Sequence, residues 1–177
     1  MAVEWVDPDS VTAAAGNEAR SADFNSALQD LKYLHDPPRC AVRRNTNQAV
    51  TTATATAISW SAAVWDSHGD MWDSGAPTRV TITRDGVYTI ICSVLWEDNA
   101  TGVRSLILKV NGSTNRRGNQ QDASSPLEQQ LSLETNLADG DYIEVIATHN
   151  AGSDQDLVAT RTVMTVRWAA AAPASGE

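Results

Sequence analysis

Side chains that could perform acid–base or nucleophilic chemistry are few and scattered in this 177-residue chain. The three histidines, His35, His68 and His149, share no recognisable motif with a serine or a cysteine. A catalytic site needs a nucleophile, a base and an orienting group, or else a metal cage. The sequence also lacks a Gly-rich phosphate loop, an HExxH motif and a nucleophile elbow. It therefore predicts a protein that is not an enzyme and needs no cofactor.

The segment most capable of binding a metal is WDSHGDMWDSG, at residues 65–75. Asp66, Asp70 and Asp73 offer carboxylate oxygens there, and His68 offers a ring nitrogen. Calcium loops use such oxygens, but they space their carboxylates more tightly and close the site with a bidentate glutamate. The pattern therefore favours an acidic loop with its tryptophans in the core, and the three aspartates are only weak candidates for a cation site.

The two cysteines, Cys40 and Cys92, stand far apart and in no metal-binding spacing. Each lies in an apolar, strand-like stretch, where a buried thiol behaves as a small hydrophobic side chain. Nothing in the sequence indicates an oxidising compartment. Free thiols are therefore favoured over a Cys40–Cys92 disulfide, which stays open as an alternative.

Composition and charge narrow the range of partners. The formal net charge is −9, so nucleic acid, whose phosphates would repel the chain, is a poor partner. The pairs Arg43-Arg44 and Arg116-Arg117 are too sparse to track a phosphate backbone and are interpreted as solvated or interface charges. No apolar run approaches the roughly 20 residues that cross a bilayer, and the acidic start MAVEWVDPDS is unlike a signal peptide. We therefore expect neither a membrane partner nor export by the general secretory route.

After residue 38 the sequence alternates apolar and polar residues in short runs that are separated by turns. VYTIICSVLW and LVATRTVMTVRW show the two-residue period of strands. Asp85-Gly86 and Asn111-Gly112 are typical hairpin turns. This pattern predicts a mainly β protein, an antiparallel β-sandwich of the jelly-roll kind. The predicted core of this head consists of Tyr88, Ile90, Val94, Trp96, Leu106, Leu108, Ile143, Val145 and Val166.

One helix is predicted before the strands, in SADFNSALQDLKYLH. Phe24, Ala27, Leu31 and Leu34 fall at successive a and d positions of a heptad pattern, with Leu28 beside them. The double proline of HDPP ends the helix, because proline cannot donate a hydrogen bond and restricts the residue before it. A helix this short is marginal alone in water. Its stripe must therefore pack on its own β domain, on copies of itself or on another protein.

An isolated tryptophan, Trp5, lies upstream in the polar segment EWVDPDS. A large amphipathic ring of this kind is usually held in a pocket. Trp5 is therefore a candidate anchor of the N-terminal arm, with its pocket either on a partner or on the chain's own domain.

The strand sequences resemble those of the trimeric jelly rolls related to the globular heads of complement and tumour-necrosis-factor ligands. DGVYTIICSVLW, RSLILKVNG and LADGDYIEVIATHNAG carry this likeness, which covers roughly residues 39–168. The resemblance implies a jelly-roll head that assembles as a homotrimer. The residues that stand at the family's recurring positions are Gly86, Tyr88, Asn111, Gly112, Leu137, Gly140, Asp141 and Val145.

The segment VTAAAGNEARSADFNSALQDLKYLHDPPRC is similar to the start of small structural proteins of tailed bacteriophages. In those proteins an arm with a tryptophan and a helix that ends at a double proline precede a jelly roll of this type. The resemblance implies a homotrimeric virion protein whose partners are the major capsid protein or tail proteins of the particle.

These observations divide the chain into three parts. Residues 1–38 form an arm and an amphipathic helix for attachment or trimerisation, residues 39–168 form the head, and residues 169–177 form a loosely held tail. The expected function is that of a non-enzymatic phage structural protein that decorates the capsid or forms a short fibre or minor tail element. It would be made in the host cytoplasm and reside on the virion surface.

A receptor- or glycan-binding head of a tail fibre is the alternative function. Exposed aromatic rings around Trp65 and Trp72 would stack on a sugar of the host surface. A third class, a polysaccharide-cleaving enzyme, would need two carboxylates at glycosidase distances, which a sequence alone does not show.

Overall fold

The computed structural model describes residues 21–67, 69–122 and 126–172. In these ranges the chain forms one α-helix followed by twelve β-strands. The helix α1 spans Ser21–His35, and a short 3₁₀ turn, Ala159–Arg161, precedes the last strand. The strands are β1 (Arg39–Arg43), β2 (Gln48–Val50), β3 (Thr56–Ala57), β4 (Ala62–Asp66), β5 (Val80–Thr81), β6 (Gly86–Trp96), β7 (Val103–Val110), β8 (Ser113–Asp122), β9 (Leu127–Leu137), β10 (Tyr142–His149), β11 (Gln155–Leu157) and β12 (Val163–Ala170).

The strands form two antiparallel sheets that enclose a common core. In the large sheet, β4, β1, β12, β6 and β9 lie side by side in that order. β11 pairs with β6 beyond the end of β12, and β2 pairs with β11. In the small sheet, β10 pairs with β7 on one side and with β3 and β5 on the other, and β8 pairs with β7. The prediction of a mainly β antiparallel sandwich is confirmed.

The start of β6 depends on a glycine. A Cβ atom at Gly86 would overlap the indole nitrogen of Trp168 and the carbonyl oxygen of Ala170. The Trp168 indole N–H donates to the Asp85 carbonyl at 3.1 Å. Because glycine has no side chain, β12 can lie this close to the beginning of β6.

The core lies between the two sheets. The structure places all nine side chains of the sequence-based core there, each no more than 1% exposed. They come from β6 and β12 of the large sheet and from β7 and β10 of the small sheet. Full burial of a large apolar side chain contributes about 1.5–3 kcal/mol, so this shared core holds the sheets together.

Both cysteines are buried free thiols of the large sheet. Cys40 lies opposite Val166 and Cys92 lies opposite Met164, so β12 separates their strands. Neighbouring strands lie about 4.8 Å apart, and two such spacings exceed the Cα separation of about 7 Å that a disulfide can bridge. A Cys40–Cys92 disulfide is therefore excluded in this fold. Burial raises the pKa of each thiol to about 12, and the charge of Asp66 adds to the effect at Cys40.

One arginine of the sequence-identified basic pairs is buried, which corrects its assignment to the surface. Arg43 is exposed, whereas Arg44 is only 8% exposed. The Arg44 guanidinium donates to the carbonyl oxygens of Thr46, Ser59 and Asn47. Burial lowers the pKa of Arg44. Loop carbonyls thus replace water around this cation. The side chains of the second basic pair, Arg116-Arg117, lie outside the described residues.

A second buried arginine, Arg104, lies at one end of the core. Its guanidinium donates to the carbonyls of Thr101 and Asn99, at 2.9 and 3.3 Å, and lies 5.4 Å from the centroid of a Trp96 ring. The Trp96 indole N–H donates to Gln129 at 3.0 Å, and the Gln129 amide donates to the Arg104 carbonyl at 3.2 Å. This polar network joins β6, β7 and β9 and is a structural feature of the interior.

The last strand extends slightly past the predicted end of the head. β12 continues to Ala170, two residues beyond the expected end of the head at residue 168. Residues 1–20, which include Trp5, and residues 173–177 lie outside the described residues. The described part of the chain contains no helix that is long and apolar enough to span a membrane.

Candidate functional site

A row of small and apolar side chains crosses the outer face of the large sheet, the face turned away from the core. Register pairs join Trp65 to Ala41, Ala41 to Thr165, Thr165 to Ile91 and Ile91 to Ser132. Trp65 is 42% exposed and Ile91 is 36% exposed. Ala41 is buried and Thr165 is half-buried between them, so the exposed Trp65 and Ile91 are the apolar side chains of this row that can contact another molecule.

Charged side chains flank the row and divide this outer face into two halves. The basic half consists of the exposed Arg39 and Arg43 of β1 and Arg167 of β12. The acidic half consists of the exposed Glu128 and Glu134 of β9. β1 and β12 are neighbours, whereas β9 lies beyond β6, so the three arginines and Glu134 lie on opposite sides of β6. Glu128 is paired within its own chain with Arg161, at 2.8 Å. Such a face is electrostatically complementary to a second copy of itself.

The acidic half ends in a long unpaired strand edge. Among the described strands, β9 pairs only with β6, along eleven residues. At the corresponding edge of the small sheet, the ten residues of β8 pair only with β7. Long unpaired edges promote association, and proteins normally cover or charge them. The β9 edge is therefore a margin at which a neighbouring molecule can pack.

The β domain does not cover the leucine stripe of α1, which consists of Leu28, Leu31 and Leu34. Leu28 is 47% exposed, and Leu31 and Leu34 are each 60% exposed. Ala27 is exposed as well, and the side chain of Phe24 lies outside the described residues. Of the three packing partners that the sequence left open, the chain's own domain is therefore not the one that covers these leucines.

The C-terminal end of α1 contacts the sandwich. The guanidinium carbon of Arg84 lies 3.7 Å from the ring centroid of Tyr33 and 5.2 Å from that of Trp168. Cation–π contacts contribute about 0.5–1 kcal/mol at exposed sites and more where water is excluded. The Asp36 N–H donates to the Lys32 carbonyl at 2.7 Å and completes the last helical turn. The helix is thus held at this end while its leucines stay in solvent.

The acidic loop after β4 uses its carboxylates to hold its own backbone. Asp66 accepts three hydrogen bonds from backbone N–H groups of the following residues, at 2.9–3.1 Å. Asp73 accepts the Gly75 N–H at 3.0 Å, Asp70 is exposed, and His68 lies outside the described residues. Within the described ranges no group of three His, Cys, Asp or Glu side chains is arranged to hold a metal ion. The weak metal candidates are therefore not brought together as a site here.

The two loop tryptophans of the glycan hypothesis do not form a shared platform. Trp72 is half-buried, packs against the core and donates its indole N–H to the Pro77 carbonyl at 3.4 Å. Trp65 is exposed, with the Arg39 guanidinium 5.8 Å from its ring centroid. Trp65 therefore belongs to the outer face of the large sheet.

Of the charged residues of that face, Arg43 was interpreted from the sequence as a solvated or interface charge, and the others were not assigned to a shared surface. Arg39 and Arg43 flank three buried residues in β1, whereas Glu128 and Glu134 alternate with buried and half-buried residues in β9. The two-residue period shows that each set shares one face of its strand. The order of the strands in the sheet, which puts the two sets on separate halves, is not contained in that period.

Comparison with known proteins identifies the fold. No protein-family model and no curated protein matches the chain. The Eiger TNF of S. frugiperda is similar in structure, with a TM-score of 0.58 and 17% identity over 79% of this chain and 98% of that chain. Murine APRIL matches with a TM-score of 0.58 and 16% identity over 75% and 98% of the two chains. The globular domain of zebrafish complement 1qA matches with a TM-score of 0.50 and 18% identity over 73% and 94%.

The head therefore has the fold of the TNF-like and complement-1q-like jelly rolls. This bears out the part of the sequence resemblance that concerns the jelly roll. At these identities the likeness shows the fold alone, and none of these three structures is a bacteriophage protein. The comparisons thus give no support to the bacteriophage part of the resemblance.

Proposed function

We propose that this protein is a non-enzymatic structural head that assembles as a homotrimer and is attached to a bacteriophage particle through its N-terminal segment. The observation that supports self-assembly is the division of the outer face of the large sheet into a basic and an acidic half. The jelly-roll fold supports the trimer, and the sequence similarity of residues 11–40 supports the particle.

In a cyclic trimer the same two surfaces meet at every interface. The basic half of one copy faces the acidic half and the β9 edge of the next copy, and a head-to-tail contact of this kind closes into a ring. The row between the halves supplies the apolar contact, because the Trp65 and Ile91 side chains are removed from solvent when two copies associate. Burial of apolar area contributes about 25 cal/mol per Å². The charges set the orientation and disfavour pairings that bring like charges together.

The helix α1 gains its packing partner in the same assembly. Three copies attached to one trimer bring their Leu28, Leu31 and Leu34 stripes together. Tethering raises the effective concentration of the helices to the millimolar range, which offsets the nucleation cost that a short single helix cannot meet. The contact between Tyr33 and Arg84 fixes the base of each helix to its own head.

Attachment to the particle is assigned to residues 1–38, with the major capsid protein or a tail protein as the partner. The protein would be made in the host cytoplasm and stay on the virion surface, where a net charge of −9 favours solubility. Two histidine positions support a role without catalysis. The His149 ring lies 2.7 Å from the Val50 carbonyl and accepts the Ala151 N–H at 3.2 Å, and His35 is exposed at the helix end.

Charge reversal tests the proposed interface. Glu134→Arg and Arg167→Glu, each alone, should shift the protein toward monomers, because each brings like charges together between copies. The double variant should restore assembly. Lys109→Glu, on the small sheet, is the matched control and should assemble like the wild type. Sedimentation over a concentration series measures the effect, and single variants that assemble like the wild type would contradict the interface.

The location on a particle has a separate test. Purified particles of the virus that encodes this chain should contain its peptides by mass spectrometry, and an antibody to the head should label intact particles. A chain without residues 1–36 should no longer attach. Attachment of the shortened chain, or a chain missing from the particles, would contradict the assignment.

A further inference from the structure

An open hollow of about 350 Å³ lies on the outer face of the small sheet. Strands β7, β8 and β10 form its floor, and the loop between β2 and β3 forms one wall. Its volume falls at the lower end of the range of small-molecule sites. No Asp, Glu, Lys or Arg among the described residues lines it. Within the described residues this lining, which includes the His149 ring, contrasts with the charged outer face of the large sheet.

Three neutral polar side chains form a row across the floor of the hollow. Thr148 of β10 pairs in register with Ser105 of β7, and Ser105 pairs with Gln120 of β8. Neighbours in such a row have Cβ atoms about 5 Å apart. Within the described part of the chain, these side chains make no hydrogen bond to the protein. Two hydroxyls and an amide are therefore available to donate to and accept from a ligand.

Apolar groups border this polar row. Val103 and Ile107 lie two residues on either side of Ser105 in β7 and also line the hollow. Binding sites for small molecules commonly combine an apolar lining with a few fixed polar groups. A pyranose ring offers the complementary surface, since it carries C–H groups on its faces and hydroxyls around its edge.

The wall of the hollow is held in a fixed conformation. Ala53 has a φ of 57°, in the left-handed region that non-glycine residues seldom adopt, and its N–H donates to the His149 carbonyl at 2.7 Å. The His149 ring is itself bonded to the Val50 carbonyl and to the Ala151 N–H. Backbone strain of this kind concentrates at binding sites, where the surrounding structure maintains it. The wall therefore needs little ordering when a ligand binds.

We propose that the hollow binds a neutral, hydroxyl-rich ligand, with the terminal sugar of an uncharged glycan as its occupant. Among the described side chains the lining includes no lysine or arginine to pair with a sulfate or carboxylate, and the net charge of −9 repels anionic glycans. No Phe, Tyr or Trp side chain among the described residues lines the hollow. The affinity of one site is therefore weak, with a Kd on the order of 1 mM, and several copies on one assembly raise it through avidity.

This site differs from the one suggested by the loop tryptophans, because Trp65 lies on the outer face of the other sheet. It also goes beyond the structural role proposed above and does not depend on it. If the full-length protein is monomeric and still binds glycosides in the hollow, the proposed trimer is wrong and this inference is still supported.

Saturation-transfer NMR on the full-length protein tests the inference. The probes are the methyl glycosides of glucose, galactose, mannose and N-acetylglucosamine, with N-acetylneuraminic acid as the anionic comparison. At least one neutral glycoside should bind saturably. The variant Ser105→Ala/Thr148→Val should weaken that binding at least tenfold. The control Ser74→Ala/Thr160→Val makes the same changes at exposed positions outside both the hollow and the proposed interface, and it should bind like the wild type.

Several results would overturn the proposal. One is that no neutral glycoside binds saturably at a concentration ten times the expected Kd. The others are that the protein prefers the anionic sugar, or that the wild type and the hollow variant bind equally. If a capped, uncharged peptide binds the hollow and glycosides do not, the site serves a protein partner and the sugar assignment is wrong. Gln120→Ala, at an exposed position of the same row, gives a second variant if the double variant folds poorly.

Discussion

Tyr33 and Arg84 form the contact that joins the helix to the jelly-roll head, with the Arg84 guanidinium carbon 3.7 Å from the Tyr33 ring centroid. The contact lies one turn before the double proline, at the end of α1 nearest the head. The helix is thus anchored through one side chain of its last turn while its leucines remain available to a partner.

Tyr33→Leu should loosen the last turn of α1 from the head. A cation–π contact of about 1 kcal/mol corresponds to roughly a fivefold change in the opening equilibrium. Hydrogen–deuterium exchange of the backbone amides of residues 31–36 should therefore become about fivefold faster. The neighbouring Lys32→Gln, an exposed position, is the control and should leave the rate unchanged. Identical protection in Tyr33→Leu and the wild type would show that another contact holds the helix.

Leu31→Ser/Leu34→Ser should weaken assembly without destabilising the head. Each leucine is 60% exposed, so the free energy of unfolding of the head should change by less than about 0.5 kcal/mol. The helical circular-dichroism signal at low protein concentration should fall, because the helices lose their mutual packing. Leu131→Ser, at a position 4% exposed, is the contrasting variant and should cost about 3 kcal/mol in urea unfolding. A large stability loss in the helix variant would mean that the stripe packs on the head after all.

Gly86→Ala should lower the free energy of unfolding by about 3 kcal/mol, because its new methyl group overlaps Trp168 and Ala170. Gly140→Ala is the matched control. Gly140 also has a positive φ, of 86°, but a Cβ there meets no atom within 4 Å, so the cost should be only the backbone strain of about 1 kcal/mol. Urea unfolding of both variants measures the difference. Equal losses would show that β12 does not approach the start of β6 as closely as the structure indicates.

The buried thiols should make stability fall at alkaline pH. Cys40 and Cys92 have folded pKa values raised by burial from 9.0 to about 12. Between these values the unfolded chain releases the thiol protons and the folded chain keeps them, so rising pH favours unfolding. Above pH 9 each thiol should remove up to about 1.4 kcal/mol per pH unit. Urea unfolding from pH 8 to 10 should show this slope. Cys40→Ala/Cys92→Ala should flatten it, and an unchanged slope in that variant would assign the effect to other groups.

Much of the head could be predicted from the sequence because its strands face the core on one side and water on the other. That arrangement forces the two-residue alternation from which Tyr88, Val94, Leu108 and Val145 were predicted as core, and the structure buries all four. Asn111-Gly112 joins β7 and β8 in a hairpin as predicted. The Asp85-Gly86 hairpin was predicted wrongly, because β5 pairs with β10 whereas β6 pairs with β9 and β12. Fold class and core therefore follow from local pattern.

Features that depend on distant residues could not be predicted in this way. Arg44 and Arg104 are buried because loop carbonyls surround them, whereas the residue type alone indicates exposure. Asp66 lies among candidate metal ligands in the sequence, yet its carboxylate accepts three backbone N–H groups. The separation of charge on the large sheet and the polar row of the hollow both require the strand order, which joins segments far apart in the chain.

The molar mass of the purified full-length chain in solution, measured by light scattering, tests the central claim most directly. The account predicts three times the 19.0 kDa mass of one chain over a wide range of concentration. A mass of one chain at all concentrations would contradict it, because the charge-divided face and the leucine stripe would then have no second copy to cover them.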